Sequence, residues 1–142
     1  MKKAISGILV ALILMLGTVS AHAAAPAEAD TNQPQTRWSY INTTTTTLSI
    51  VGGQAIFGGS IIGYYGITTK VIITLYLEYK LASSSTWSPY ANGSKSFDDY
   101  MGAYGKTVPV TSGYQYRVQA VYQAFSGKNS ESTTSYSQVV TY

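Results

Sequence analysis

Lys70-Val71-Ile72-Ile73-Thr74-Leu75-Tyr76-Leu77-Glu78-Tyr79-Lys80-Leu81 alternates with a period of two. Val71, Ile73, Leu75, Leu77, Tyr79 and Leu81 point one way. Ile72, Thr74, Tyr76, Glu78 and Lys80 point the other. Successive side chains take opposite faces in a β-strand, so this stretch reads as a strand with one core face. Tyr114 to Ala124 repeats the pattern: Tyr114, Tyr116, Val118, Ala120, Tyr122 and Ala124 share one face, and Gln115, Arg117, Gln119, Val121 and Gln123 share the other. Two such strands need a second apolar layer to cover them, which already points to a packed β domain.

The flanking chain reads the same way. Tyr40 to Ile50 contains five consecutive threonines, Thr43 to Thr47, a β-branched run that disfavours helix and fits a pleat. Val51-Gly52-Gly53-Gln54 reads as a tight hairpin turn, because two glycines accept the positive φ such a turn requires. Gln54 to Ile62 is the next strand, and Gly63 to Gly66 brackets Tyr64-Tyr65 in a loop. Ala82 to Ser96 is polar, with Pro89 and Asn92-Gly93, and suggests only a weakly pairing piece near Trp87. Phe97 to Val110 suggests one or two short strands broken near Gly102 or Gly105. Gly127-Lys128-Asn129 turns the chain, and Tyr136 to Tyr142 is the expected last strand. Short strands at regular spacing without helical periodicity predict one antiparallel sandwich of about seven strands. The expected core is Ile50, Phe57, Ile61, Val71, Ile73, Leu75, Leu77, Tyr116, Val118, Ala120 and Val140.

The N-terminus carries a different message. Lys2 and Lys3 precede an apolar run from Ile5 to Leu16, and Ala21-His22-Ala23 places small residues where a signal peptidase reads them. The expectation is a signal-peptide helix over residues 1–23, cleaved after Ala23 or Ala25, and hence a secreted, extracellular protein that leaves the membrane. The uncharged stretch from Ala4 to Ala21 sits at the low edge of the roughly 20 residues a spanning helix needs. Residues 24–36, with Pro26 and Pro34 and nothing large to bury, read as a flexible linker to a domain at 37–142.

Removing the signal also changes the charge. Nine basic residues less Lys2 and Lys3 leave seven against six acidic ones, a net of +1. No basic cluster remains, so no electrostatic basis for nucleic-acid binding remains. There is no cysteine, and the single histidine, His22, lies in the signal. Apolar burial and main-chain pairing alone must hold the domain, helped by 13 Tyr, 2 Trp and 3 Phe.

Val110-Thr111-Ser112-Gly113-Tyr114-Gln115-Tyr116-Arg117-Val118 resembles the entry to the sixth strand of a fibronectin type III domain. The resemblance implies an immunoglobulin-like sandwich in which the Tyr116 hydroxyl bonds back to the chain upstream, as a tyrosine corner, with Val110 as its apolar companion. No Trp stands in the second strand, where Phe57 or Ile61 must fill the core. Taken whole, the chain also resembles a family of small exported proteins of Gram-positive bacteria classed as a domain of unknown function. The shared features are the Lys-Lys signal, Arg37-Trp38-Ser39-Tyr40, Ser85-Thr86-Trp87, Gly113 to Arg117, Gly127-Lys128, Glu131-Ser132 and Tyr136-Ser137. That resemblance implies no activity, cofactor or site.

The residues themselves offer little catalytic chemistry. Without Cys or a mature His, neither a Ser-His-Asp triad nor a His-ligated zinc site can form. A glycosidase pair needs two carboxyls about 5–9 Å apart. Asp98 or Asp99 could supply one and Glu78 the other, but Asp98 and Asp99 between Phe97 and Tyr100 read better as solvated turn residues than as part of such a pair or of a calcium site. The expectation is a non-enzymatic protein with no catalytic, cofactor or metal residues. Tyr64, Tyr65, Trp87, Tyr90, Tyr100 and Tyr104 are the candidate ligand contacts, since aromatic faces receive sugar rings or anchor protein partners. The function expected is an extracellular binding module for an unidentified protein or glycan. The alternatives are a self-assembling structural component and a binder of cell-wall glycans.

Overall fold

The computed structural model describes residues 38–142. The expected signal, the linker and Arg37 lie outside the described residues. Eight strands follow one another: β1 (Ile41–Val51), β2 (Gln54–Gly63), β3 (Lys70–Lys80), β4 (Ser88–Phe97), β5 (Met101–Pro109), β6 (Gln115–Ser126), β7 (Asn129–Tyr136) and β8 (Val140–Thr141). They form two antiparallel sheets in a sandwich. The smaller runs β1-β2-β5, and the larger runs β4-β3-β6-β7 with β8 also on β6. The all-β sandwich matches the sequence reading, with one strand more than the seven expected.

β3 and β6 form the centre of the larger sheet, paired from Lys70–Phe125 to Lys80–Gln115. Their inward residues, Val71, Ile73, Leu75, Leu77, Tyr116, Val118, Ala120, Tyr122 and Ala124, are fully buried. Phe57 and Ile61 face them from β2. Ile50 and Val140 are only partly buried at the margin of this core, while Ile41, Leu48, Ala55 and Val110 are buried members absent from the expected core. Leu81, expected to face inward, lies beyond the end of β3 and is 52% exposed.

The turns obey their residues. Gly52 and Gly53 take φ of 57° and 76°, closing the β1–β2 hairpin at the pair Val51–Gln54. The Tyr116 hydroxyl donates to the Thr111 carbonyl at 2.7 Å and accepts from the Thr111 N–H at 3.1 Å, so the expected corner forms beside buried Val110.

Three expectations need correction. Ala82 to Ser96 was to be mostly turn, yet β4 is a ten-residue strand running through Asn92-Gly93. Its inward positions are Ala91, Gly93, Lys95 and Phe97, paired with the apolar face of β3. Small and charged residues there give no apolar alternation to read. The expected break in Phe97 to Val110 does not occur, because β5 passes unbroken through Gly102 and Gly105. The single last strand from Tyr136 to Tyr142 is replaced by two pieces. β7 ends at Tyr136, and after it the Ser137 N–H donates to the Val118 carbonyl at 2.9 Å. Only Val140–Thr141 then pairs again with β6.

Three glycines, one each in β2, β4 and β5, have a common purpose. A Cβ on Gly59 of β2 would collide with the Tyr122 phenol from the opposite sheet. A Cβ on Gly93 of β4 would collide with Tyr104 of β5, and one on Gly102 of β5 with Phe97 of β4. Three rings thus cross the sandwich, each seated against a glycine of the facing sheet. Where a ring lands, only a missing side chain keeps the layers at packing distance.

The chain entering β1 is held by one carboxylate. Glu131 of β7 accepts from the N–H groups of Ser39 at 2.9 Å, Tyr40 at 2.6 Å and Ile41 at 3.3 Å. An ionised acceptor serving several main-chain donors is among the stronger kinds of hydrogen bonding.

Burial pushes the hydroxyl pKa of both Tyr116 and Tyr122 above the ordinary value of 10.0. Both phenols are neutral below that value in either state, so their contribution to stability is complete there. Above it the unfolded chain releases these two protons and the folded chain keeps them, so stability falls as pH climbs toward the folded-state values. The melting temperature should therefore drop from about pH 10 upward, with phenolate absorbance from two tyrosines appearing only on unfolding. A melting temperature flat through that range would contradict the burial of these hydroxyls.

Candidate functional site

The outward face of the larger sheet is where the strand alternation places its polar residues. Even-numbered residues of β3 and β7 and odd-numbered residues of β6 point to solvent there. The register sets Asn92, Tyr76, Gln119 and Tyr136 directly opposite one another across β4, β3, β6 and β7. At about 4.8 Å per strand, this row of alternating amides and phenols spans ~14 Å. Tyr76 is 38% and Tyr136 51% exposed.

The next position along β6 is Arg117. Its Nε donates to Glu78 Oε2 at 2.7 Å. Its guanidinium carbon lies 4.4 Å from the centre of the Trp87 ring and 4.7 Å from that of Tyr136. Trp87 also receives Lys80, whose Nζ is 5.3 Å from the ring and donates to the Ser84 carbonyl. A planar cation between two rings, anchored by a carboxylate, fixes both rings at the rim of the face. Beside Lys80, a cleft of about 290 Å³ opens between Tyr79, Tyr114, the loop carrying Ser84 and Thr86, and Ser88 at the start of β4.

The six aromatic candidates do not form one surface. Tyr65 and Tyr100 meet edge to face at 5.3 Å in the β2–β3 and β4–β5 loops, with Tyr64 beside Tyr65 in the chain. Those loops adjoin the start of β3, whereas Trp87 follows its end. Asp98 and Asp99 are exposed in the same β4–β5 turn, where Asp99 Oδ1 accepts from the Tyr100 N–H at 2.6 Å.

Tyr90 falls where β4 shifts register against β3 between Leu77 and Glu78. Its ring packs edge-on to Tyr79 at 5.5 Å and to Tyr116 at 5.7 Å, and its hydroxyl donates to the Pro109 carbonyl at 2.9 Å. A bulge re-aims a side chain in this way. Tyr104 lies between the sheets, over Gly93. Of the six, Trp87 alone belongs to the polar face of the larger sheet.

The chain matches no protein-family model, no curated protein and no solved structure.

The sequence reading did not bring Arg117, Gln119 and Tyr136 together. Their adjacency depends on β7 being a strand in register with β6. Its Asn-Ser-Glu-Ser-Thr-Thr-Ser-Tyr sequence carries no apolar face to announce that. The one available signal was the β-branched pair Thr133-Thr134 after the Gly127 turn.

Proposed function

We propose that this chain is an exported, non-catalytic binding module that takes a glycan on the outward face of its larger sheet. The observation that carries the reading is the Trp87–Arg117–Tyr136 stack beside the Asn92–Tyr76–Gln119–Tyr136 row. Sugar rings offer apolar C–H faces to aromatic rings and hydroxyls to amides, and this face supplies both on a rigid ladder. Tyr76 and Tyr136 stand two strands apart, ~10 Å, a spacing that suits successive units of an extended polymer. The export signal and the resemblance to exported Gram-positive proteins favour an envelope polysaccharide. The strand order and the Tyr116 corner support a fibronectin type III-like, immunoglobulin-like ancestry, a fold that by itself carries no activity.

The test is titration of the protein with a panel of envelope and neutral polysaccharides, followed by tryptophan fluorescence and calorimetry. Trp87→Ala should weaken binding by roughly 30-fold, the equivalent of about 2 kcal/mol for an anchoring aromatic contact. Tyr65→Ala, at the far end of β3, should leave it unchanged. No binding across the panel, or equal binding by Trp87→Ala, rejects the proposal.

A further inference from the structure

The four sheet edges are not alike. β4 carries Pro89 and Lys95, β5 carries Lys106 and Pro109, and β7 carries Glu131. Charges and prolines of this kind keep an edge from pairing with other chains. β1, Ile-Asn-Thr-Thr-Thr-Thr-Thr-Leu-Ser-Ile-Val, has eleven residues and neither a charge nor a proline.

Its free side can be read from the hairpin. Val51 and Gln54 close a two-residue turn, so the odd-numbered residues of β1 exchange main-chain bonds with β2. The even-numbered ones, Thr44, Thr46, Leu48 and Ile50, turn their N–H and C=O groups away. Among the described residues no other strand pairs with them. A groove of about 320 Å³, lined by Thr46, Thr47, Leu48 and Gln138, lies beside that edge.

We infer that this edge pairs antiparallel with β1 of a second copy, about a two-fold axis at Thr45. Antiparallel pairing of a strand with itself reverses its sequence, and the run Thr43 to Thr47 reads the same in both directions. A two-fold at Thr45 sets Thr43 against the partner's Thr47 and Thr44 against the partner's Thr46, so threonine meets threonine throughout. Cross-strand threonine pairs are favourable, and with no charge on the strand nothing repels. The Thr44 and Thr46 positions then carry the new main-chain bonds, and the smaller sheets of two molecules become one of six strands. The contact is narrow, well below the ~800 Å² per partner of a stable interface, so the dimer is weak and concentration-dependent. This pairing uses the opposite sheet from the glycan face and stands or falls separately from it.

Sedimentation of the full chain, as processed on export, should show the mean mass rising toward a dimer with concentration. Thr45→Lys and Thr47→Lys, each on an exposed outward position, should stay monomeric over the same range with unchanged melting, whereas Thr45→Val should still associate. The chain has no cysteine, so single cysteines report register cleanly. Thr45→Cys should oxidise to a covalent dimer, since opposed residues of a non-hydrogen-bonded pair lie about 4.5 Å apart, within disulfide reach. Ser94→Cys, on another edge, should not. A monomer at every concentration, association of the lysine variants at the wild-type level, or equal cross-linking at Ser94 overturns the inference. Occupation of this edge by residues 24–36 or by a foreign peptide would give the first of these results.

Discussion

Gly59→Ala should lower the unfolding free energy by about 2–6 kcal/mol. Two effects combine. The added methyl must displace the Tyr122 ring, and overpacking of this kind costs about 1–3 kcal/mol. The displaced hydroxyl then loses its bonds to the Thr45 carbonyl at 2.5 Å and to Thr46 Oγ1 at 2.8 Å. A part-buried acceptor left bare costs about 1–3 kcal/mol more. For a domain of this size each kcal/mol moves the melting temperature by roughly 4–8 °C, so thermal unfolding reads the loss easily. The decisive measurement is the double-mutant cycle with Tyr122→Phe, which removes the oxygen nearest the new methyl. Tyr122→Phe should be much less harmful in the presence of Gly59→Ala than alone. Strict additivity would mean that ring and glycine are not coupled.

Tyr116→Ala should be comparably severe, at about 3–5 kcal/mol for deleting a fully buried ring. Its loss also removes the edge-on partner of Tyr90 and Tyr114, at 5.7 and 6.5 Å. Tyr116→Phe separates the hydroxyl from the ring and should cost about 1 kcal/mol through the two Thr111 bonds. If Tyr116→Phe melts like the wild type, the corner contributes packing alone.

These two positions also mark what could and could not be read from the sequence. Tyr116 was legible because a core residue on a period-two strand, preceded by Gly113 and Val110, is a local pattern. β3 and β6 were legible for the same reason. Gly59, Gly93 and Gly102 were not, because each answers a ring that arrives from the other sheet. A glycine in a strand looks like a break until its visitor is known, which is why β4 and β5 were read as turns and fragments. β7 was hidden differently: its main chain pairs with β6 while its Ser and Thr side chains bury nothing apolar. The binding face shared that fate. Trp87 and Tyr76 were visible as exposed aromatics, but Arg117 joins Trp87 to Tyr136 only through a register no local pattern encodes.

The Glu131 clasp gives the domain a mechanical polarity. Load entering from the N-terminal side meets the three N–H bonds at Ser39, Tyr40 and Ile41 before it reaches the β1–β2 ladder. Those bonds lie on a single side chain, so they fail together, as a fuse does. Once they part, β1 can peel from its hairpin one pair at a time, while β3 and β6 stay clamped between their neighbours. A tethered copy would therefore yield first at the strand whose free edge is open, giving up Ile41 and Leu48 while the paired centre of the larger sheet holds.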